Sequence, residues 1–172
     1  MPDMTDYLHP PASWNLPPPV IPKEIYPGII KSYRRQALDR RQSAESTEGS
    51  AVLISVVLTD WPASIPEGDS RRLRTLEDGE AIPIDLEEVR LAVRYNITRQ
   101  GLFFLNRFLE RMEIDVQTVN NRLDYETALN KLIGERVAVD VGLIPRGETG
   151  DFYNVVNGDP IPYSPAAKAA AE

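Results

Sequence analysis

The sequence predicts a mainly β fold with inserted helices, of the α+β class, and three observations carry that expectation. Three strand-like runs precede a helical stretch, and two more follow it. Thr98, a good N-cap, opens the helical stretch, and Gly134, a left-handed stop, closes it. At 172 residues the chain is long enough to bury a core without staples, and it contains no cysteine. Strand, strand, strand, helix pair, strand, strand is the order of a five-stranded OB-type barrel with a helix pair between strands 3 and 4. The expected organisation is a proline-rich arm over 1–22, an OB-like barrel domain over 23–158 and a tail over 159–172.

Residues 1–22 hold Pro10, Pro11, Pro17, Pro18, Pro19 and Pro22, which favour extended polyproline segments and supply no ladder donors. Trp14 and Leu16 suggest that this arm docks on its own barrel or on a neighbour. A first strand is expected over about 24–34, with Gly28 suited to a bulge in its middle. Residues 35–50 are almost free of apolar side chains and read as a long polar loop. Residues 51–59 form a nearly continuous β-branched run, as in a strand covered on both faces. Residues 63–78 combine Pro66, Gly68 and Asp69 with three arginines and read as a mobile connection.

Over 88–97, Val89, Leu91, Val93, Tyr95 and Ile97 alternate with Arg90, Ala92, Arg94 and Asn96, the period of a half-buried strand. A helix over 86–95 is the second choice. After Thr98, Leu102, Leu105, Leu109 and Met112 recur at helical spacing, with Arg107, Glu110 and Arg111 on the solvent side. Asp124 can cap a second short helix carrying Ala128, Leu129, Leu132 and Ile133. Val137, Val139, Val141 and Leu143 predict the fourth strand. The glycine-bearing turn over 146–151 joins it to a fifth over 152–156. After Gly158 the composition returns to proline and alanine, with no evident core.

The composition excludes several chemistries. Without cysteine there are no disulfides, thiolate metal sites or thiol nucleophiles. His9 is the one histidine, and it lies outside any periodic pattern, a poor base for a triad or a zinc site. Asp60, Asp85 and Asp140 lie in or beside strands, but their spacing does not force them together around Mg²⁺. Gly147 and Gly150 belong to a turn rather than a phosphate loop. No cofactor and no catalytic residue is expected. The N-terminus has neither a basic start nor an apolar run, and no window has the length of a membrane span. The expectation is a soluble, cytoplasmic, non-enzymatic protein without membrane contact.

Binding candidates come from the clumping of basic residues against a formal net charge of -7. Lys31, Arg34, Arg35, Arg40 and Arg41 leave the first strand and enter the loop that flanks the groove of an OB barrel, with Tyr33 among them. Cations attract backbone phosphates, and an aromatic face stacks bases for about 1–3 kcal/mol each. Arg90 and Arg94 are two positions on the outward face of the third strand, where a phosphate track would run, with Arg99 beyond. Trp61, after a strand end, is a further stacking candidate. Tyr95, Phe152 and Tyr153 fit a core better. Arg71, Arg72 and Arg74 read as a solvated loop, and of Phe103 and Phe104 one is expected to be exposed or packed on an arm.

Several stretches together carry a resemblance: residues 16–22, Tyr26-Pro27-Gly28-Ile29-Ile30 with Ser32-Tyr33, Thr59-Asp60-Trp61-Pro62, Ile84-Asp85-Leu86, residues 104–112, Leu132-Ile133-Gly134 and Tyr153-Asn154-Val155-Val156. Over roughly 16–157 the chain resembles small bacteriophage-encoded proteins similar to phage single-stranded-DNA-binding OB proteins of replication and recombination modules. The resemblance implies a phage origin, location in the host cytoplasm, single-stranded DNA as ligand and phage replication proteins as partners. Two departures stand out. Residues 165–172 carry one acid and one base instead of an acidic run, and the loop over 35–50 is longer and more polar. The second expected function is a protein-protein interaction or assembly module, a phage accessory or structural protein that uses the barrel and the arm and forms a homo-oligomer through the arm.

Overall fold

The computed structural model describes residues 16–37, 50–148 and 150–163. Ten strands are described: β1 (Glu24–Ala37), β2 (Ser50–Leu58), β3 (Leu73–Thr75), β4 (Ala81–Pro83), β5 (Leu91–Asn96), β6 (Gln117–Val119), β7 (Arg122–Asp124), β8 (Arg136–Arg146), β9 (Asp151–Val156) and β10 (Ile161–Pro162). Helix α1 (Arg99–Arg111) follows β5, and α2 (Tyr125–Leu132) precedes β8. The described residues are therefore mainly β, with one large antiparallel sheet, two short hairpins and two α-helices.

Within the large sheet the order is β10, β8, β1, β2, β5, with β9 also paired to β8. Strand β1 serves two ladders, pairing β8 over Glu24 to Ile29 and β2 over Gly28 to Ala37. Gly28 stands where the ladders overlap, and a Cβ there would lie 3.0 Å from both the Val56 side chain and the Val57 carbonyl oxygen. The register slips between Ile30 and Ser32, so the bulge falls at Lys31 instead of Gly28. There Ile30 donates to the Glu135 carbonyl and accepts from the Gly134 amide, which ties the bulge to the start of β8.

The sheet curls, but it does not close. No ladder joins β5 to β9 among the described residues, so the expected closed barrel is corrected to an open sheet. The two edges still come within reach of each other, since the Tyr95 hydroxyl on β5 donates to Asp159, just past β9, over 2.6 Å. A second correction concerns β2. Val52, Ile54, Val56 and Leu58 are buried, whereas Leu53, Ser55 and Val57 are half-buried, so only one face is fully covered.

Both helices cover the inner face. The Thr98 side chain accepts the Gly101 amide and the Asp124 side chain accepts the Thr127 amide, the capping expected from these residue types. Leu105, Phe108 and Leu109 from α1 and Ala128, Leu129 and Leu132 from α2 join Tyr26, Ile30, Ile54, Val93, Tyr95 and Val139 in one core. Gly134, at φ 89°, lets the chain turn from α2 into β8.

The stretch over 63–78 is ordered by its arginines. Arg71 pairs with Asp69 at 2.7 Å, Arg72 donates to the Ile65 carbonyl, and Arg74 donates to the Pro17 carbonyl. The helical alternative over 86–95 reduces to a single 3-10 turn, Leu86–Glu88, capped by Asp85. Hairpin β6–β7 turns through Asn120 and Asn121, both at positive φ, the geometry of a type I′ turn. Past Gly158, Pro160 is buried and β10 pairs β8, so this segment lies on the sheet.

Ile21, near the end of the arm, is held by the Asn154 side chain. Asn154 accepts the Ile21 amide at 2.8 Å and donates to the Ile21 carbonyl at 2.8 Å and the Gly142 carbonyl at 3.2 Å. Asn154→Ala leaves these groups without partners and is expected to cost about 1.5 kcal/mol. A urea melt should show a lower midpoint at an unchanged m-value.

Candidate nucleic-acid interface

Register decides which arginines share a face. Arg34 lies opposite Leu53, and Leu53 lies opposite Arg94. Directly opposed residues project to the same side, so Arg34, Leu53 and Arg94 form one row on the outer face. Two strand spacings, roughly 10 Å, separate the arginine backbones. The rows on either side are Ser32, Ser55, Ala92 and Gln36, Ala51, Asn96, small or uncharged residues that leave the two cations prominent. Arg94 donates to the Asn96 side chain at 3.2 Å, and neither Arg34 nor Arg94 has a carboxylate within ion-pair distance among the described residues. Arg90, exposed, immediately precedes β5, and Lys31 is exposed at the bulge.

The other candidates part from this row. Arg35 and Tyr33 belong to inner-face rows, opposite Val52 and Ile54. Arg35 reaches the Ser50 hydroxyl at 3.4 Å, and the Tyr33 hydroxyl donates to Asn130 of α2 at 2.9 Å. Trp61 lies beyond the far end of β2, its ring 6.1 Å from that of Tyr26 and 5.3 Å from the Arg72 guanidinium. There it lines a separate cavity of about 420 Å³. Arg40 and Arg41 lie outside the described residues.

Arg94, at the edge of the row, also borders a larger groove. A cavity of about 650 Å³ lies between β5, α1 and β9, lined by Arg94, Asn96, Gln100, Phe104, Arg107 and Asp159 among others. Phe103 and Phe104 are both exposed and meet edge to face at 5.7 Å, where one exposed ring was expected. The Arg107 guanidinium lies 5.2 Å over the Phe104 ring. Asp159 is bonded by Tyr95 and lies 3.4 Å from Arg107 and 3.6 Å from Arg111. Burial, then the bond to Asp159, pushes the Tyr95 hydroxyl far above its usual range, so it stays a proton donor.

No protein-family model matches this chain, and no curated protein matches it. A guanidinium row, an exposed aromatic face and carboxamides around an open groove can hold an extended polyanion that carries flat rings. Among the described residues no group of three or more metal-ligating side chains gathers, and no helix is long and apolar enough to cross a membrane.

Phe104, Arg107 and Asp159 were not among the sequence-derived candidates. One signal was present. Arg107 and Arg111 are four apart on one helix, a like-charged pair that repels unless an anion sits between.

Proposed function

We propose that this chain is a non-enzymatic OB-type protein that binds single-stranded DNA with little sequence preference, as the phage proteins it resembles do. The order of the long strands, with the helix pair between the third and fourth, supports the OB reading, in which the sheet is left open at β5 and β9. The outer row Arg34, Leu53, Arg94 is the observation that carries the binding site. In this reading Arg34 and Arg94, with Arg90 and Lys31 beside them, face phosphates. Phe104 offers the stacking face instead of Tyr33 and Trp61, whose rings pack against the protein itself.

Net charge opposes binding at long range, whereas the contact is local, and salt separates the two effects. Anisotropy titration of a short labelled poly-thymidine strand at two salt concentrations should show affinity falling steeply as salt rises. A flat response overturns the proposal. Arg94→Ala should weaken binding about tenfold and lower the salt slope by about 0.7, the loss of one phosphate contact to a single strand.

A second reading, a protein-binding module, is favoured by the cavity beside Trp61, whose rim includes the exposed apolar side chains Ile25 and Ile161. Sizing chromatography with and without the oligonucleotide separates the two readings. An oligomer that ignores DNA supports the second.

A further inference from the structure

We infer that Arg107 and Arg111 of α1 form a phosphate-binding site that the protein's own Asp159 carboxylate occupies, so that a strand entering the groove has to draw the two arginines away from it. This rests on the reading of the groove as a nucleic-acid interface, and adds to it an intramolecular competitor. Three features of the cluster lead to it.

The first is the helix itself. Arginines at i and i+4 stand on one face with side chains about 5–6 Å apart at Cβ, an arrangement that calls for an anion between them. Asp159 Oδ2 fills that position, 3.4 Å from Arg107 Nη2 and 3.6 Å from Arg111 Nη1. The second is the division of exposure. The Asp159 side chain is 9% exposed, whereas those of Arg107 and Arg111 are 45% and 48% exposed, so the cations remain reachable from solvent while the carboxylate is not.

The third is how each partner is held. Both Arg–Asp distances exceed the roughly 2.7–2.9 Å of a close charge-assisted bond, and each guanidinium carries about five donors, most of them left over for a ligand. Asp159 does not depend on those contacts for its place. Tyr95 holds its Oδ1 at 2.6 Å, and the buried Pro160 follows it in the chain. The carboxylate is therefore fixed by β5 and the sheet edge, and the arginines lean on it loosely. A phosphodiester carries the same single negative charge with more acceptor oxygens. Arg107 also lines the cavity that holds Arg94 and Phe104, so a strand stacked on Phe104 brings a phosphate to it.

Asp159→Asn tests this in the full-length chain. The asparagine keeps an oxygen for the Tyr95 hydroxyl and nearly the same volume, removes the competing charge and turns an amide donor toward the arginines in place of the carboxylate oxygen. With the labelled poly-thymidine strand, affinity should rise about fivefold and its salt dependence should steepen. In the Asp159→Asn background, Arg107→Gln should then cost several times more affinity than it does in the unmodified chain. Unchanged or weaker binding by a folded Asp159→Asn protein overturns the inference. If that variant fails to fold, Arg107→Gln with Arg111→Gln in the otherwise unmodified chain decides: weaker binding supports the site, and unaltered affinity overturns it. Salt-dependent binding by the unmodified chain alongside an indifferent Asp159→Asn protein defeats this inference alone. No binding by either protein defeats the functional reading as well.

Discussion

Replacing Phe108 by alanine is expected to destabilise the protein by about 4 kcal/mol, lowering the thermal midpoint by roughly 12 °C in a chain of this length. Phe108 is fully buried, and its ring stacks on Tyr95 at 5.8 Å with the planes only 12° apart. That contact joins α1 to β5 across the inner face. Truncation removes the transfer free energy of a whole ring and leaves a void walled by α1 and the sheet, which cannot collapse while β5 stays paired to β2. Loss of the ring stack adds about 1 kcal/mol to the area term. Phe103→Ala on the same helix is the internal comparison. Its ring is 63% exposed, so its loss should shift the midpoint by little. Differential scanning calorimetry of the two variants checks both, and equal shifts would mean that α1 does not present the face described.

What could be read from the sequence follows the length and period of each segment. The alternation of Val89, Leu91, Val93, Tyr95 and Ile97 marked a half-buried strand because a single face meets the core; Leu91, Val93 and Tyr95 are buried within β5, while buried Val89 and half-buried Ile97 flank it. Thr98 and Asp124 marked helix starts because capping is a local contact. The strands of β3–β4 and β6–β7 are three residues each, too short to show a period. Whether the sheet closes was not legible, since it depends on how far the β5 and β9 edges approach, a distance that no local pattern encodes.

The binding residues divided for the same reason. Arg34 and Arg35 are neighbours in the chain and read as one cluster, yet a period of two sends them to opposite faces. Arg34 and Arg94, far apart in the chain, meet in one row through Leu53. Asp159 was hidden more deeply. Its partner Tyr95 is 64 residues away, and its segment reads as tail by composition.

Gly101→Ala sets two effects against each other, and the magnitudes decide between them. Gly101 lies in the first turn of α1, where alanine normally gains about 0.5–1 kcal/mol over glycine through propensity and unfolded-state entropy. Here an added Cβ would run into the Asn96 carbonyl oxygen at the end of β5, with Thr98 Oγ1 at 3.1 Å closing another side. The obstacle is backbone, so no rotamer change relieves it, and the helix start has to move away from the strand. Such overpacking costs about 1–3 kcal/mol, and with backbone on the receiving side the upper end applies, leaving a net loss of about 2 kcal/mol. The displacement also bears on function, because Gly101, Asn96 and Phe104 all line the groove between β5, α1 and β9. The variant should therefore lose both thermal stability and affinity for the poly-thymidine strand. A Gly101→Ala protein more stable than its parent would show that α1 does not start against the Asn96 carbonyl, and the placement of Phe104 beside Arg94 would fall with it.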